Sequence, residues 1–488
     1  MNDGRKPMMR TSVLILTTLF SSSLFAAGHD LTTVPPAVNQ LSPVVTGNGS
    51  GFTAAWMESV QSRSTIVSQV ASAAGEPIAG TGASIDQSNV QSMSIAHSPS
   101  ETLVVWVADY DVFAERLSPS GMPLNTVVLT SGHNVRSDVA VVWNGSRYFV
   151  VWSNEYQLLG AFIASDGSST PPRSFFGEPS VIGQPAPANL ELEPDVAWDG
   201  RNFIIVFGEA PNIPCVLSVC PAPSPSQGLF RVMRLSADGD AIDSAPLTIS
   251  GTHIFAHVAS SGTESLIALD GYSQISTITV HDDGELTLDA ETPLFRWYSY
   301  VSSAVAWDGA TYTVGWRYAG ANTGPSWLGA AHVTRSGSPL DYCFVATSGA
   351  VWWGRPSIAV NEAGITAFAI SEAAGPSSLA RARLYLASEL EPMPAPPPAP
   401  RNVVSYFGGN TARIDWQQSD TPAGFVLEWS WDFGTTWYWY NVISGDARTI
   451  SVVAHAGNLF RVRAFGLGGV SEGTITSIGS MQRRRASH

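Results

Sequence analysis

Residues 194–207, PDVAWDGRNFIIVF, and residues 303–316, SAVAWDGATYTVGW, carry the pentapeptide VAWDG at matching places. In both, a short apolar run leads into an Asp-Gly turn and a second apolar run rich in β-branched and aromatic residues follows, the pattern of a β-hairpin. Weaker copies keep the same plan at 43–56 (PVVTGNGSGFTAAW), 93–106 (MSIAHSPSETLVVW), 138–152 (DVAVVWNGSRYFVVW), 256–269 (AHVASSGTESLIAL) and 356–370 (PSIAVNEAGITAFAI). The copies close on Trp56, Trp106, Trp152, Phe207, Leu269, Trp316 and Ile370, so the chain repeats in seven units of about fifty residues.

Most units continue into a second hairpin with glycine at its tip, at Gly75, Gly121, Gly167, Gly239, Gly284 and Gly337. Two hairpins make four strands, and four-stranded units repeated around a ring define a β-propeller. Burial of both faces of each sheet explains why YFVVW and FIIVF are almost continuously apolar and do not alternate. The seventh unit lacks a clear fourth strand, while residues 31–41, LTTVPPAVNQL, resemble one. The expectation is an all-β chain: a seven-bladed β-propeller over 31–390, with this N-terminal strand closing the last blade. The glycine pairs and the GH and WD signatures of kelch and WD repeats do not recur. The units resemble the tandem DVAWDGxxYxVVW repeats of secreted bacterial propeller proteins, a resemblance that implies a fold and no activity.

Residues 391–400, EPMPAPPPAP, read as a proline-rich linker in extended polyproline II, roughly 30 Å long at about 3.1 Å per residue. Beyond it the repeat stops. Segment 401–480 holds short alternating strands, and Trp416 together with FRVRAFGLGGVSE resembles a fibronectin type III β-sandwich. Phe460 stands where that family usually carries the tyrosine of its corner motif, which puts the corner hydrogen bond in doubt. Within the segment, SWDFGTTW at 430–437 matches the Asp-box of sialidase blades. Its place between two strands makes it a hairpin, with Ser430 and Asp432 bonding turn amides, Gly434 at positive φ and Trp437 covering the loop. Asp-boxes are structural, so the match implies no activity.

Basic residues Arg5, Lys6 and Arg10 precede an apolar run from Val13 to Leu19 and then small residues, the layout of a secretory signal peptide over 1–27. A secreted chain, extracellular or periplasmic, is expected, with no transmembrane segment after signal removal. Taking Asp3 and these three bases from the 40 acids and 25 bases leaves 39 and 22, a mature net charge of −17. That balance argues against nucleic acid as a partner. In an oxidising compartment, Cys215 and Cys220 are spaced for a local disulfide, and Cys343 is left over. The tail 481–488 reads as disordered. No cofactor and no metal site is expected; HDDGE at 281–285 reads as a hairpin tip, not as a Ca²⁺ site.

Two candidate binding features stand out. Glu58, Asp109, Glu155, Glu209, Asp270 and Glu372 each fall within three residues after a unit's closing apolar position, which suggests an acidic rim that concentrates cations or a basic partner. The alternative is a set of strand-end caps in a negative protein. Arg296, Trp297, Tyr298 and Tyr300, with Trp352, Trp353 and Arg355, occupy connections between neighbouring units and suit stacking against sugar faces; otherwise these rings pack between blades. Catalytic residues are not assigned, since no GxSxG elbow, HExxH helix or P-loop is present. The sequence favours non-catalytic recognition of a glycan or extracellular protein. A glycan-active hydrolase or lyase on the same scaffold is the alternative, and a structural envelope or adhesion component the third.

Overall fold

A computed structural model describes residues 28–32, 38–60, 63–130, 135, 138–154, 156–177, 189–211, 229–251, 253–271, 274–297, 302–319, 326–347, 355–373, 379–408 and 410–478. The signal segment, Cys215 and Cys220, and the tail 481–488 lie outside these residues. Among the described residues the regular structure is strand, apart from one 3-10 turn at Ala387–Glu389.

Among the described residues, the strands before residue 393 form seven antiparallel sheets, six built on four consecutive strands and the last on three consecutive strands and one from the N-terminus. The first strands of the sheets are Asn39–Asn48, Val90–Ser98, Val139–Trp143, Asn189–Trp198, His253–Ser260, Ser302–Trp307 and Ser357–Val360. Each lies against the next, and the last lies against the first. The result is a closed, propeller-like ring around an axial channel.

Local chemistry explains the repeat. At the turn after the first strand, Asn144, Asp199, Asp308 and Asn361 each accept two backbone N–H bonds through Oδ1, as Asp308 does from Ala310 (2.8 Å) and Thr311 (2.7 Å). The following Gly200 and Gly309 take φ of 93° and 100°, which a side chain would resist. The second strand is the most buried element of each sheet, and Glu101–Ala108 is buried at every position. The closing residues Trp56, Trp106, Trp152, Phe207, Leu269, Trp316 and Ile370 are all fully buried. Neighbouring sheets are also stapled by polar atoms. Tyr148 Oη donates to the carbonyl of Glu101 (2.9 Å), and Tyr312 Oη donates to that of Glu264 (2.5 Å).

The last sheet is completed from the N-terminus, one stretch earlier than expected. His29–Asp30 pairs with Leu384 and Arg383, and Leu31, fully buried, donates its N–H to Ala382 (3.3 Å). Residues 39–41, assigned to that strand by the sequence pattern, instead begin the first strand of the first sheet.

Residues 401–477 form two further sheets, Arg401–Gly408 with Thr411–Gln417 and Thr449–Val453, and Tyr438–Ser444 with Gly424–Ser430, Leu459–Gly466, Gly469–Val470 and Thr474–Ser477. Trp416, Phe425, Leu427, Phe460 and Val462 fill the space between them. The proline-rich segment does not hang free as a spacer. Glu391–Pro392 pairs with Cys343 and Phe344 at the edge of the sixth ring sheet, and Gln418 Nε2 donates to the carbonyl of Pro398 (2.9 Å).

Candidate functional site

The first strands present alternate side chains to the channel. Six residues before each turn-initiating residue (Asn48, Ser98, Asn144, Asp199, Ser261, Asp308 and Asn361) stand Ser42, Ser92, Asp138, Glu193, Phe255, Ser302 and Arg355. Four residues before it stand Val44, Ser94, Ala140, Asp195, His257, Ala304 and Ser357. These two layers, with Ser302 the one exception, line a cavity of about 430 Å³ at one end of the channel. The strands bulge at this level, between Leu41 and Val44, Val90 and Ser92, Leu192 and Asp195, and His253 and Phe255. Ser42 and Glu193 sit at φ of 48° and 45°. Bulges re-aim side chains, and strained non-glycine backbone is concentrated at functional positions.

Arg355 spans this cavity. It enters from just before the first strand of the seventh sheet, and its Nη1 donates to Asp138 Oδ2 (2.8 Å), just before the first strand of the third sheet, and its Nη2 to Glu193 Oε2 (3.0 Å), on the first strand of the fourth. Its guanidinium also lies 3.5 Å from the centre of the Phe255 ring, a cation–π arrangement. Burial pushes the Glu193 carboxyl up to about 7; Arg355 opposes that rise and Asp138 adds to it.

Below this layer, Asp195 accepts the N–H of Val258 (3.0 Å) and stands 3.5 Å from His257 Nδ1. Asp270 is fully buried 4.0 Å from His257 Nε2, accepts the N–H of Ser303 (2.9 Å) and the Ser303 hydroxyl, and its pKa is raised by burial. Ser92 Oγ and His257 Nε2 of the lining, and Ser302 Oγ outside it, are buried without a hydrogen-bond partner. Such atoms call for water or ligand. The cavity can therefore offer carboxylates, a guanidinium, hydroxyls and one aromatic ring to a polar guest. Among the described residues no group of three or more His, Cys, Asp or Glu is placed to hold a metal ion, and no helix is long and apolar enough to cross a membrane.

The residues singled out in the sequence fare unevenly. Of the aromatic set, Tyr298, Tyr300, Trp352 and Trp353 lie outside the described residues. Trp297 is not a surface ring. It is 2% exposed, packed edge-on against Tyr318, Trp327 and Phe465, because the C-terminal sheets cover it. Arg296 pairs with Glu472 of those sheets (3.0 Å), so among the described members of the set only Arg355 reaches the cavity.

The acidic rim is corrected likewise. Asp270 and Glu372 are fully buried, Glu372 being bonded by Tyr385 and by Arg383 (3.3 Å). Glu58 accepts from Gln40 (3.0 Å) and Trp56 Nε1 (3.2 Å), and Glu209 accepts from Arg231. Asp109 is held by Ser88 (2.9 Å) and Asn89 (2.6 Å), and Glu155 lies outside the described residues. The five described acids are each engaged by neighbouring side chains or backbone at the strand ends. At 281–285, Asp282 accepts from Arg234 and from Asn202 (2.7 Å). Cys343 is a free thiol that burial pushes up to about 12. The Asp-box hairpin forms as read, with Ser430 Oγ accepting from Gly434 N (2.9 Å) and Asp432 Oδ1 from Thr436 N (2.9 Å).

No protein-family model matches the sequence, and no curated protein matches it. Solved structures similar to the chain include a prolyl endopeptidase, at 13% identity and TM-score 0.44, over 88% of this chain and 54% of that one. The chain thus spans about half the length of that enzyme. The Dos1 propeller is similar at 9% identity and TM-score 0.37, over 72% and 95% of the two chains. Trypanosoma rangeli sialidase is similar at 8% identity and TM-score 0.37, over 90% and 84%.

Proposed function

We propose that the protein is a secreted recognition protein, a seven-bladed β-propeller followed by a fibronectin type III module, which binds the polar end of a glycan or an extracellular protein in its axial cavity. The observation that carries this reading is the arrangement of Arg355 between Asp138 and Glu193 over Phe255. Charged groups are costly to gather in a partly closed cavity unless they are paired, and here each is paired and still reachable from one end. The orphaned Ser92 and His257 atoms add donors and acceptors that a hydroxyl-rich guest would satisfy.

A second reading, a glycan-active hydrolase, is favoured by one feature. A carboxyl pushed up to about 7 beside a second carboxyl, as Glu193 is beside Asp138, is suited to general-acid work. The test is a glycan array probed at pH 7 with wild type, Arg355→Ala and Glu193→Gln. Recognition through the cavity predicts that the hits of wild type weaken at least tenfold with Arg355→Ala. Hits of unchanged intensity in both variants would remove the axial site. Release of reducing sugar from any hit, lost in Glu193→Gln, would decide for the enzyme.

A further inference from the structure

The Asp-box hairpin carries a second feature, far from the channel and independent of the axial reading. Trp431 is 52% exposed, Phe433 88% and Tyr438 39%, on a turn between Gly424–Ser430 and Tyr438–Ser444. Large aromatic side chains gathered at one exposed tip need an explanation that scattered apolar residues do not. The rings are also held in place. Trp431 and Tyr438 stack with centroids 4.2 Å apart and planes 13° from parallel, and Trp429 supports Trp431 edge-on from the core side at 5.0 Å. Below them the turn is locked by Ser430 and Asp432, and Asp432 stays ionised because these bonds hold its pKa down to about 2. Phe433, at the most exposed point, takes φ of 60°, a conformation a bulky residue rarely adopts. Backbone strain that displays a phenyl ring to solvent has no packing benefit to offset it.

We propose that the Trp431–Tyr438 face, extended by Phe433, is a stacking site for a neutral polysaccharide chain. Shape and charge select that occupant. A convex hairpin tip cannot bury the roughly 800 Å² per partner of a stable protein interface, whereas a pyranose ring needs one flat aromatic face. The electron-rich ring face attracts the weakly positive C–H face of a sugar. From Glu428 to Asn441 the hairpin holds two acids and no lysine or arginine, which disfavours sulfated glycans and anionic lipid. Rings already fixed by stacking lose little conformational entropy on binding.

The test uses the full chain, tryptophan fluorescence and calorimetry, with cellohexaose, chitohexaose and heparin hexasaccharide as probes and phosphatidylcholine vesicles as a lipid control. One of the neutral hexasaccharides should bind and heparin should not. Trp431→Ala should weaken that binding about tenfold or more. Phe433→Gly should weaken it about threefold without lowering the melting temperature, since glycine accepts the local φ. Leu340→Ala, at an exposed position on the ring, should leave it unchanged. The proposal is overturned if neither neutral probe binds, if Trp431→Ala and Phe433→Gly both bind as wild type does, or if Phe433→Gly abolishes binding to vesicles instead. Binding lost in Arg355→Ala and kept in Trp431→Ala also overturns it, while leaving the axial site standing.

Discussion

Arg355 and Glu193 belong to the seventh and fourth sheets, as far apart as a ring of seven allows, and their side chains meet at 3.0 Å. The channel is bridged at this level. Arg355 also holds Asp138, so one guanidinium bridges two carboxyl groups drawn from neighbouring sheets.

Removing the bridge should expose that repulsion. Arg355→Ala leaves Asp138 and Glu193 without their cation, and we expect a loss of about 1–2 kcal/mol at pH 8, less than a fully buried broken pair costs because the site is partly open. Adding Glu193→Gln should recover part of that loss. Thermal melts of both single variants and the double variant give the coupling.

Glu193 also makes stability depend on pH. Its folded pKa, about 7, lies above the ordinary 4.5, so between these values the folded protein holds a proton that the unfolded chain has released. Stability contributed by this group is full below pH 4.5 and falls as pH rises to about 7. Melting temperature followed from pH 4.5 to 8 should fall less steeply for Glu193→Gln than for wild type.

The tyrosine staples between sheets should be separable from packing. Tyr148→Phe and Tyr312→Phe keep the ring and delete the bonds to the carbonyls of Glu101 and Glu264. Each should cost about 1 kcal/mol. Denaturant melts of the single variants measure this, and the double variant should be additive because the two tyrosines join different pairs of sheets.

Closure of the ring is the most sensitive point. Deleting the chain through Leu31 removes a fully buried leucine and the strand that pairs with Leu384 and Arg383. Burial of Leu31 alone is worth about 2–3 kcal/mol, and the bared edge of Ala380–Leu386 invites association with other chains. A lower melting temperature together with concentration-dependent light scattering is the expected outcome.

The repeat was legible because four of the seven turns carry an Asx residue followed by glycine, and each second strand needs apolar residues on both faces. The C-terminal hairpin was legible for the same reason, since Ser430 and Asp432 act on amides a few residues away. Contacts across the ring were not. The acids after the closing residues form a real pattern, but Glu372 and Asp270 turn inward to Tyr385 and Ser303, partners that no local spacing reveals. Trp297 was read as a surface ring because nothing near it in sequence announces Phe465 above it. The axial layer was missed although its signal is simple. The residue six before each turn is charged or aromatic in four units and serine in three, and only the closed ring shows that these positions converge.

The most direct test of the axial site is a crystal structure of the protein soaked with the strongest glycan-array ligand. Ligand density is expected in the axial cavity, with a polar atom within hydrogen-bond distance of Asp138, Glu193 or Arg355. Density confined to other surfaces, with Arg355 still bridging Asp138 and Glu193, would contradict it.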